Sequence, residues 1–186
     1  GFYAMSNLNA RVKVRIPAAE LARRIGELAA EINRDYARSE RLVVVAILKG
    51  SVLFLADLVR QLTVPVEIDF CQAASYGQGQ EPGEVHFKKD VDLPLRGADV
   101  LLVEDIVDSG WTVRALLDLL RNRRPKSLRL CTLLDKAEAR VVEVPIDYCG
   151  FRIPREFVVG YGLDWGERYR QLPYIGVVES PSEENP

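Results

Sequence analysis

The chain has 186 residues, 48% hydrophobic and 28% charged, the balance of a globular domain large enough to bury a substantial core. Its 25 basic and 27 acidic residues leave a formal net charge of -2, which lacks the basic excess of a nucleic-acid coat. No apolar run approaches the roughly 20 residues of a membrane span, and Cys71, Cys131 and Cys149 lack metal-ligand spacing, so a cytoplasmic protein with reduced core thiols is expected.

Gly1 to Ala4, ahead of Met5, read as an expression remnant, and no signal peptide is recognised. One domain is expected over residues 5–178, with a disordered acidic tail over 179–186. Ala18 to Tyr36 places Leu21, Ile25, Leu28, Ile32 and Tyr36 at helical spacing. Leu42 to Leu48 is a continuous apolar run, as in a central parallel strand. Lys49-Gly50-Ser51 breaks it, and Ser51 is expected to cap a helix over Val52 to Leu62. Glu67 to Ala73 alternates as a strand, Tyr76 to Gly83 reads as a mobile loop, and Val85 to Lys88 as a short strand. Strands follow at Val100 to Val103, Leu128 to Leu134 and Phe157 to Tyr161, with an edge strand at Ile175 to Val178. Val113, Leu116, Leu117 and Leu120 form one face of an intervening helix. Strands alternating with helices predict an α/β fold with a mostly parallel sheet. His86, the only histidine, has no Ser or Cys partner motif and reads as a surface or strand-edge residue.

The stretch Val100 to Thr112, VLLVEDIVDSGWT, carries the most chemistry. A buried strand runs into Glu104 and Asp105, then Ile106 and Val107, then Asp108 and the turn Ser109-Gly110 before a helix. Open α/β sheets bind ligands at the carboxyl ends of their strands. The turn and helix start offer N–H groups and the Ser109 and Thr112 hydroxyls to a phosphate. The acid pair suits vicinal sugar hydroxyls, because ionised carboxylates accept strong hydrogen bonds. Together they describe a phosphorylated ribose.

This string resembles the phosphoribosyl pyrophosphate (PRPP) signature of type I phosphoribosyltransferases. A second segment, Phe157 to Asp164, FVVGYGLD, resembles the base-binding end of the hypoxanthine-guanine branch. The resemblance spans about Val43 to Val178, and it implies a mostly parallel central sheet flanked by helices, with a small hood built from the N- and C-terminal segments. The implied reaction joins PRPP to a 6-oxopurine, hypoxanthine or guanine, giving a nucleoside monophosphate and pyrophosphate, with Mg²⁺ as cofactor. A homodimer or homotetramer is implied as well.

The resemblance also implies roles for residues. Glu104 and Asp105 hold the ribose hydroxyls and touch a metal directly or through water. Asp108, Ser109, Gly110, Trp111 and Thr112 cradle the 5′-phosphate, with Asp108 as acid/base group at purine N7. Trp111 stands where the family more often has a polar or basic residue, so its backbone N–H carries that role. Lys49 and Gly50 form a pyrophosphate loop, in which the Leu48–Lys49 peptide is cis in many members, and Arg170 joins them. Lys136 contacts the 6-oxo group, Ile106 and Phe157 sandwich the base, Val158 reads its edge through the backbone, and Asp164 holds Mg²⁺. Ser75 and Tyr76 head a loop that folds over the site, although the downstream QGQEPGEVHFKKD departs from the Ser/Thr-rich family pattern.

Taken singly, Lys49 and Lys136 also read as solvated lysines at turns, and Phe157 and Val158 as core. The alternative function is a PRPP sensor without turnover, which would need a nucleic-acid surface that the charge balance does not supply.

Overall fold

The computed structural model describes residues 12–75 and 84–179. The six residues of β2 (Leu42–Ile47), LVVVAI, are all buried, as a strand covered on both faces must be. Side chains alternate across a strand. Leu42, Val44 and Ala46 therefore face one apolar cluster, with α1 (Ala18–Asp35) and α2 (Val52–Val59), while Val43, Val45 and Ile47 face a second, with α3 (Trp111–Arg121).

Around β2 lie β3 (Val66–Ser75), β4 (Val85–Lys89), β5 (Asp99–Val107), β6 (Ser127–Asp135) and β7 (Tyr148–Arg152), in the order β4-β3-β2-β5-β6-β7. All neighbours are parallel except β3 and β4. At the exposed edge, Arg24 of α1 donates to the carbonyls of Cys149 (2.7 Å) and Gly150 (2.9 Å), which occupies acceptors that a bare edge strand would offer to other chains. A separate antiparallel sheet, β1-β9-β8, joins β1 (Val12–Ile16), β9 (Ile175–Val178) and β8 (Val158–Val159). It builds the hood from both ends of the chain. The expected α/β fold with a mostly parallel sheet and a small hood is the one observed.

Several local expectations are corrected. β5 continues through the acid pair to Val107, because β6 keeps pairing with it as far as Val107 opposite Asp135. Glu104 and Asp105 are strand residues, not loop residues. Ser51 does not cap α2; its hydroxyl donates back to the Ile47 carbonyl at 2.5 Å. That helix ends at Val59, three residues before Leu62. The strand expected at Phe157 to Tyr161 shrinks to Val158–Val159, since Gly160 (φ 96°) and Tyr161 (φ 50°) turn the chain away. Ile175–Val178 is the middle strand of the hood, not an edge, with Val12 to Ile16 and Val158–Val159 pairing on its two sides. β1 and β7 were not foreseen. Of the predicted loop Tyr76 to Gly83 and the two terminal segments, only Glu179 lies among the described residues.

Candidate active site

The carboxyl ends of β2, β5 and β6 lie side by side, so the loops leaving them converge. At the end of β5, Glu104 is buried, and Asp105 beside it is partly exposed. Burial pushes the Glu104 carboxyl well above the usual range, and the Asp105 charge pushes it further. The Asp105 N–H donates to Glu104 Oε1 (2.9 Å), and the Ile106 N–H to Asp105 Oδ1 (2.7 Å).

The phosphate-turn residues follow directly. Gly110, at φ 93°, precedes the first residue of α3, Trp111. A Cβ on Gly110 would sit 2.9 Å from the Val142 carbonyl and 2.9 Å from a Val144 methyl, so the turn closes only with glycine. The Ser109 carbonyl accepts from the N–H groups of Val141 (2.9 Å) and Val142 (3.2 Å), and the Asp108 carbonyl from Arg140 Nε (3.1 Å). The turn's acceptors are thus engaged from behind. The first N–H groups of α3, starting with the partly buried Trp111, have no acceptor within the helix. A cleft of about 220 Å³ is lined by Glu104, Ile106, Asp108, Ser109, Gly110, Thr112 and Val113. A larger concavity, about 390 Å³, lies against α1 and α2 beside Tyr161, away from these groups and mostly apolar in lining.

Lys136 leaves β6 next to this turn. Its N–H donates to the Val107 carbonyl (3.0 Å), and its Nζ lies 3.4 Å from Asp108 Oδ2. The Lys136 side chain is only 10% exposed, so the amine is committed to this cleft. Arg140, which the sequence reading passed over, pairs with the buried Asp135 and also holds the Asp108 carbonyl. It thereby ties the Lys136 loop to the phosphate turn. No local motif marks such a residue, because its partners lie on different strands.

The third group comes from β2 and the hood. The Leu48–Lys49 peptide is cis. A Cβ on Gly50 would overlap Asp105 Oδ2, and one on Gly162 (φ 100°) would overlap the Gly50 carbonyl oxygen. Two glycines thus let the loop after β2 touch both the acid pair and the segment after β8. Arg170 donates to the Gly162 carbonyl (2.7 Å) and lies 3.6 Å from Asp164. Asp164 Oδ2 accepts from the Glu167 N–H (2.9 Å). Glu167, another residue not singled out from sequence, reaches Lys49 Nζ (3.0 Å) and Arg170 (3.2 Å).

Phe157 is exposed at the hood's edge, and Ile106 is partly buried against the cluster that contains Val158. Trp165 meets the Phe157 ring edge-on (centroids 6.3 Å) and stacks on Tyr169 (6.2 Å), so a second aromatic backs the ring that sequence proposed for the base. Val158 itself is buried, which leaves its backbone as the only part able to read a ligand. Ser75 ends β3, and Tyr76 lies outside the described residues. The Asp164, Glu104 and Asp105 carboxylates do not gather into one metal cluster, and no group of three or more ligating side chains occurs among the described residues. An accessible single carboxylate such as Asp164 nevertheless fits Mg²⁺, which takes one or two protein oxygens and keeps its waters. The buried thiols of Cys71 and Cys131 offer no nucleophile, since burial pushes the Cys71 thiol up to about 12 and that of Cys131 higher still.

Comparison with known proteins decides the family. The phosphoribosyl transferase domain matches residues 17–165. The hypoxanthine phosphoribosyltransferase of Salmonella typhimurium is 51% identical over 169 residues, covering 90% of this chain and 95% of that protein. The chain belongs to the hypoxanthine phosphoribosyltransferase family. The namesake of Haemophilus influenzae is 48% identical over 170 residues, covering 90% of this chain and 95% of its own. Among solved structures, a hypoxanthine phosphoribosyltransferase of Staphylococcus aureus superposes with a TM-score of 0.91 at 39% identity, over 96% of this chain and 97% of that one. A hypoxanthine-guanine phosphoribosyltransferase of Bacillus anthracis gives 0.85 at 47% identity, over 89% of this chain and 98% of that one. These relatives are named as enzymes, which leaves the alternative of a sensor without turnover unsupported. Among the described residues, no helix is long and apolar enough to cross a membrane.

The raised Glu104 carboxyl has a consequence for stability. Its folded-state value lies above the unfolded one, so the unfolded chain loses this proton first as pH rises. Glu104 therefore costs stability progressively above the ordinary glutamate range. Glu104→Gln keeps the acceptor for the Asp105 N–H and removes the charge. It should raise Tm at pH 8, with the gain fading toward pH 4, while weakening PRPP binding; melts across pH and a PRPP titration check both.

Proposed function

We propose that the cleft between β5, β6 and the hood binds PRPP and a 6-oxopurine, and that its residues divide the work of phosphoribosyl transfer. The enzyme is a pentosyltransferase of purine salvage. It transfers the phosphoribosyl group of PRPP to a 6-oxopurine, hypoxanthine or guanine, and releases pyrophosphate. The observation that carries the division is the Lys136–Asp108 pair, 3.4 Å apart, with Asp108 lining the cleft. Purine O6 and N7 are neighbouring atoms on one edge of the base. A donor and a carboxylate at that spacing meet both at once. Lysine donates only, so Lys136 suits a 6-oxo oxygen and not the 6-amino group of adenine.

In the reaction the C1′–oxygen bond to pyrophosphate breaks and the C1′–N9 bond forms, with positive charge developing on the ribose ring as in glycoside chemistry. Asp108 takes the proton from N7. The Asp105 and Glu104 carboxylates hold the ribose 2′ and 3′ hydroxyls, and their charge favours the cationic ring. Ser109, Gly110, Trp111 and Thr112 hold the 5′-phosphate through N–H and hydroxyl groups at the start of α3. Lys49, Gly50 and Arg170 receive the departing pyrophosphate. Mg²⁺, held through Asp164, would neutralise charge on that leaving group. Phe157 and Ile106 clasp the base, with Val158 backbone groups at its edge. We place the enzyme in the cytoplasm, as a single domain over 5–178 that assembles as a homodimer or homotetramer.

Turnover with PRPP and Mg²⁺ against hypoxanthine, guanine, xanthine, adenine, uracil and orotate tests the substrate class. Rapid use of hypoxanthine or guanine with adenine and the pyrimidines inert is expected; no turnover on any base would refute it. Asp108→Asn should lower kcat by at least about 100-fold, the usual size of an acid/base contribution; wild-type kcat in the folded variant would remove Asp108 from that role. Lys136→Ala should raise KM for hypoxanthine or relax the rejection of adenine. Unchanged kcat/KM for every base would exclude Lys136 from recognition.

A further inference from the structure

Glu167 stands where a glycine would be easier. Its φ is 70°, in the left-handed region that an L-residue enters only at a cost. Yet it carries a long charged side chain, and that carboxylate is shared between two cations from distant parts of the chain. Oε2 lies 3.0 Å from Lys49 Nζ in the loop after β2, and Oε1 lies 3.2 Å from the Arg170 guanidinium. The Glu167 backbone is fixed too, its N–H donating to Asp164 Oδ2 at 2.9 Å. Lys49 is 58% and Glu167 65% exposed, and exposed ion pairs of this kind add little to stability, so folding does not require this one. The two cations are those assigned above to the leaving pyrophosphate.

We propose that the Glu167 carboxylate is a built-in competitor for the pyrophosphate position, seated on Lys49 and Arg170 until a pyrophosphoryl group displaces it. Each carboxylate oxygen satisfies one cation, which is the service two oxygens of a pyrophosphate would perform. Two bare cations would hold the product anion tightly. A carboxylate that can return to them lowers affinity for PRPP and pyrophosphate alike and speeds release of the product. This inference rests on the assignment of Lys49 and Arg170 to pyrophosphate.

The test is calorimetric titration of the full chain with pyrophosphate in Mg²⁺ at low ionic strength. Glu167→Gln removes the charge with little change of shape, and Glu167→Gly removes the side chain and suits the left-handed backbone. Both should tighten pyrophosphate binding about three- to tenfold, the range expected from removing weak exposed ion pairs, and both should strengthen pyrophosphate as a product inhibitor. Unchanged or weaker binding in both variants overturns the inference. Lys49→Ala and Arg170→Gln, measured alongside, should weaken pyrophosphate binding. If those two leave it unaltered, the pyrophosphate assignment itself fails, and the competitor role with it. If they weaken it while the Glu167 variants do not tighten it, the assignment stands and only the competitor role is lost.

Discussion

The site depends on a close approach that only glycines permit. Gly50 presses against the Asp105 carboxylate, and Gly162 presses against the Gly50 carbonyl. Three segments far apart in sequence therefore meet with no Cβ between them: the loop after β2, the end of β5, and the hood. Through that junction the loop that carries Lys49, the acid pair and the segment that carries Asp164 and Arg170 are held against one another. A methyl group at Gly162 would push its segment from the loop after β2, and one at Gly50 would displace the Asp105 carboxylate. Positions that admit no side chain mark where backbone must approach backbone or ligand.

Charge is arranged around the same junction at some cost to the fold. Glu104 is buried beside Asp105, an unfavourable placement for a carboxylate without a cation or hydroxyls to meet it. Asp108 leans on Lys136, and Lys49 and Arg170 lean on Glu167. The cations proposed for the substrates are thus paired within the chain, while the acid pair retains its mutual repulsion. Substrate hydroxyls and a cation would relieve that repulsion, so part of the binding energy is already present as strain between neighbouring charges. The aromatic side is built with the same economy: Trp165 and Tyr169 stack behind Phe157 and hold an exposed ring in a defined attitude.

Much of this was legible in the sequence, for reasons that can be named. The run LVVVAI has no polar face, so it could only be a strand covered on both sides. The leucines and isoleucines of α1 recur at helical spacing, and the order of acids, hydrophobics, Ser and Gly along the end of β5 pointed to that strand end as a place for a ligand. Local pattern misjudged boundaries where pairing overrode it. The acid pair looked like the start of a loop, but β6 keeps β5 extended to Val107. Ile175–Val178 looked like an edge, because nothing in four residues reveals that β1 and β8 pair on its two sides.

What the sequence determined by itself was the fold class and the family signature, and it nominated the groups proposed for the chemistry, since these follow from side-chain type and short-range order. Tertiary structure alone decided which of them meet. Lys136 and Asp108 are 28 residues apart, and Lys49 and Glu167 are 118 apart. Their contacts exist only because parallel strands bring successive carboxyl ends together and the hood folds over them. The contacts of Arg140 with Asp108, of Glu167 with Lys49 and of Gly162 with Gly50 were silent for the same reason. Each joins partners distant in the chain, and short-range order carries no record of such partners.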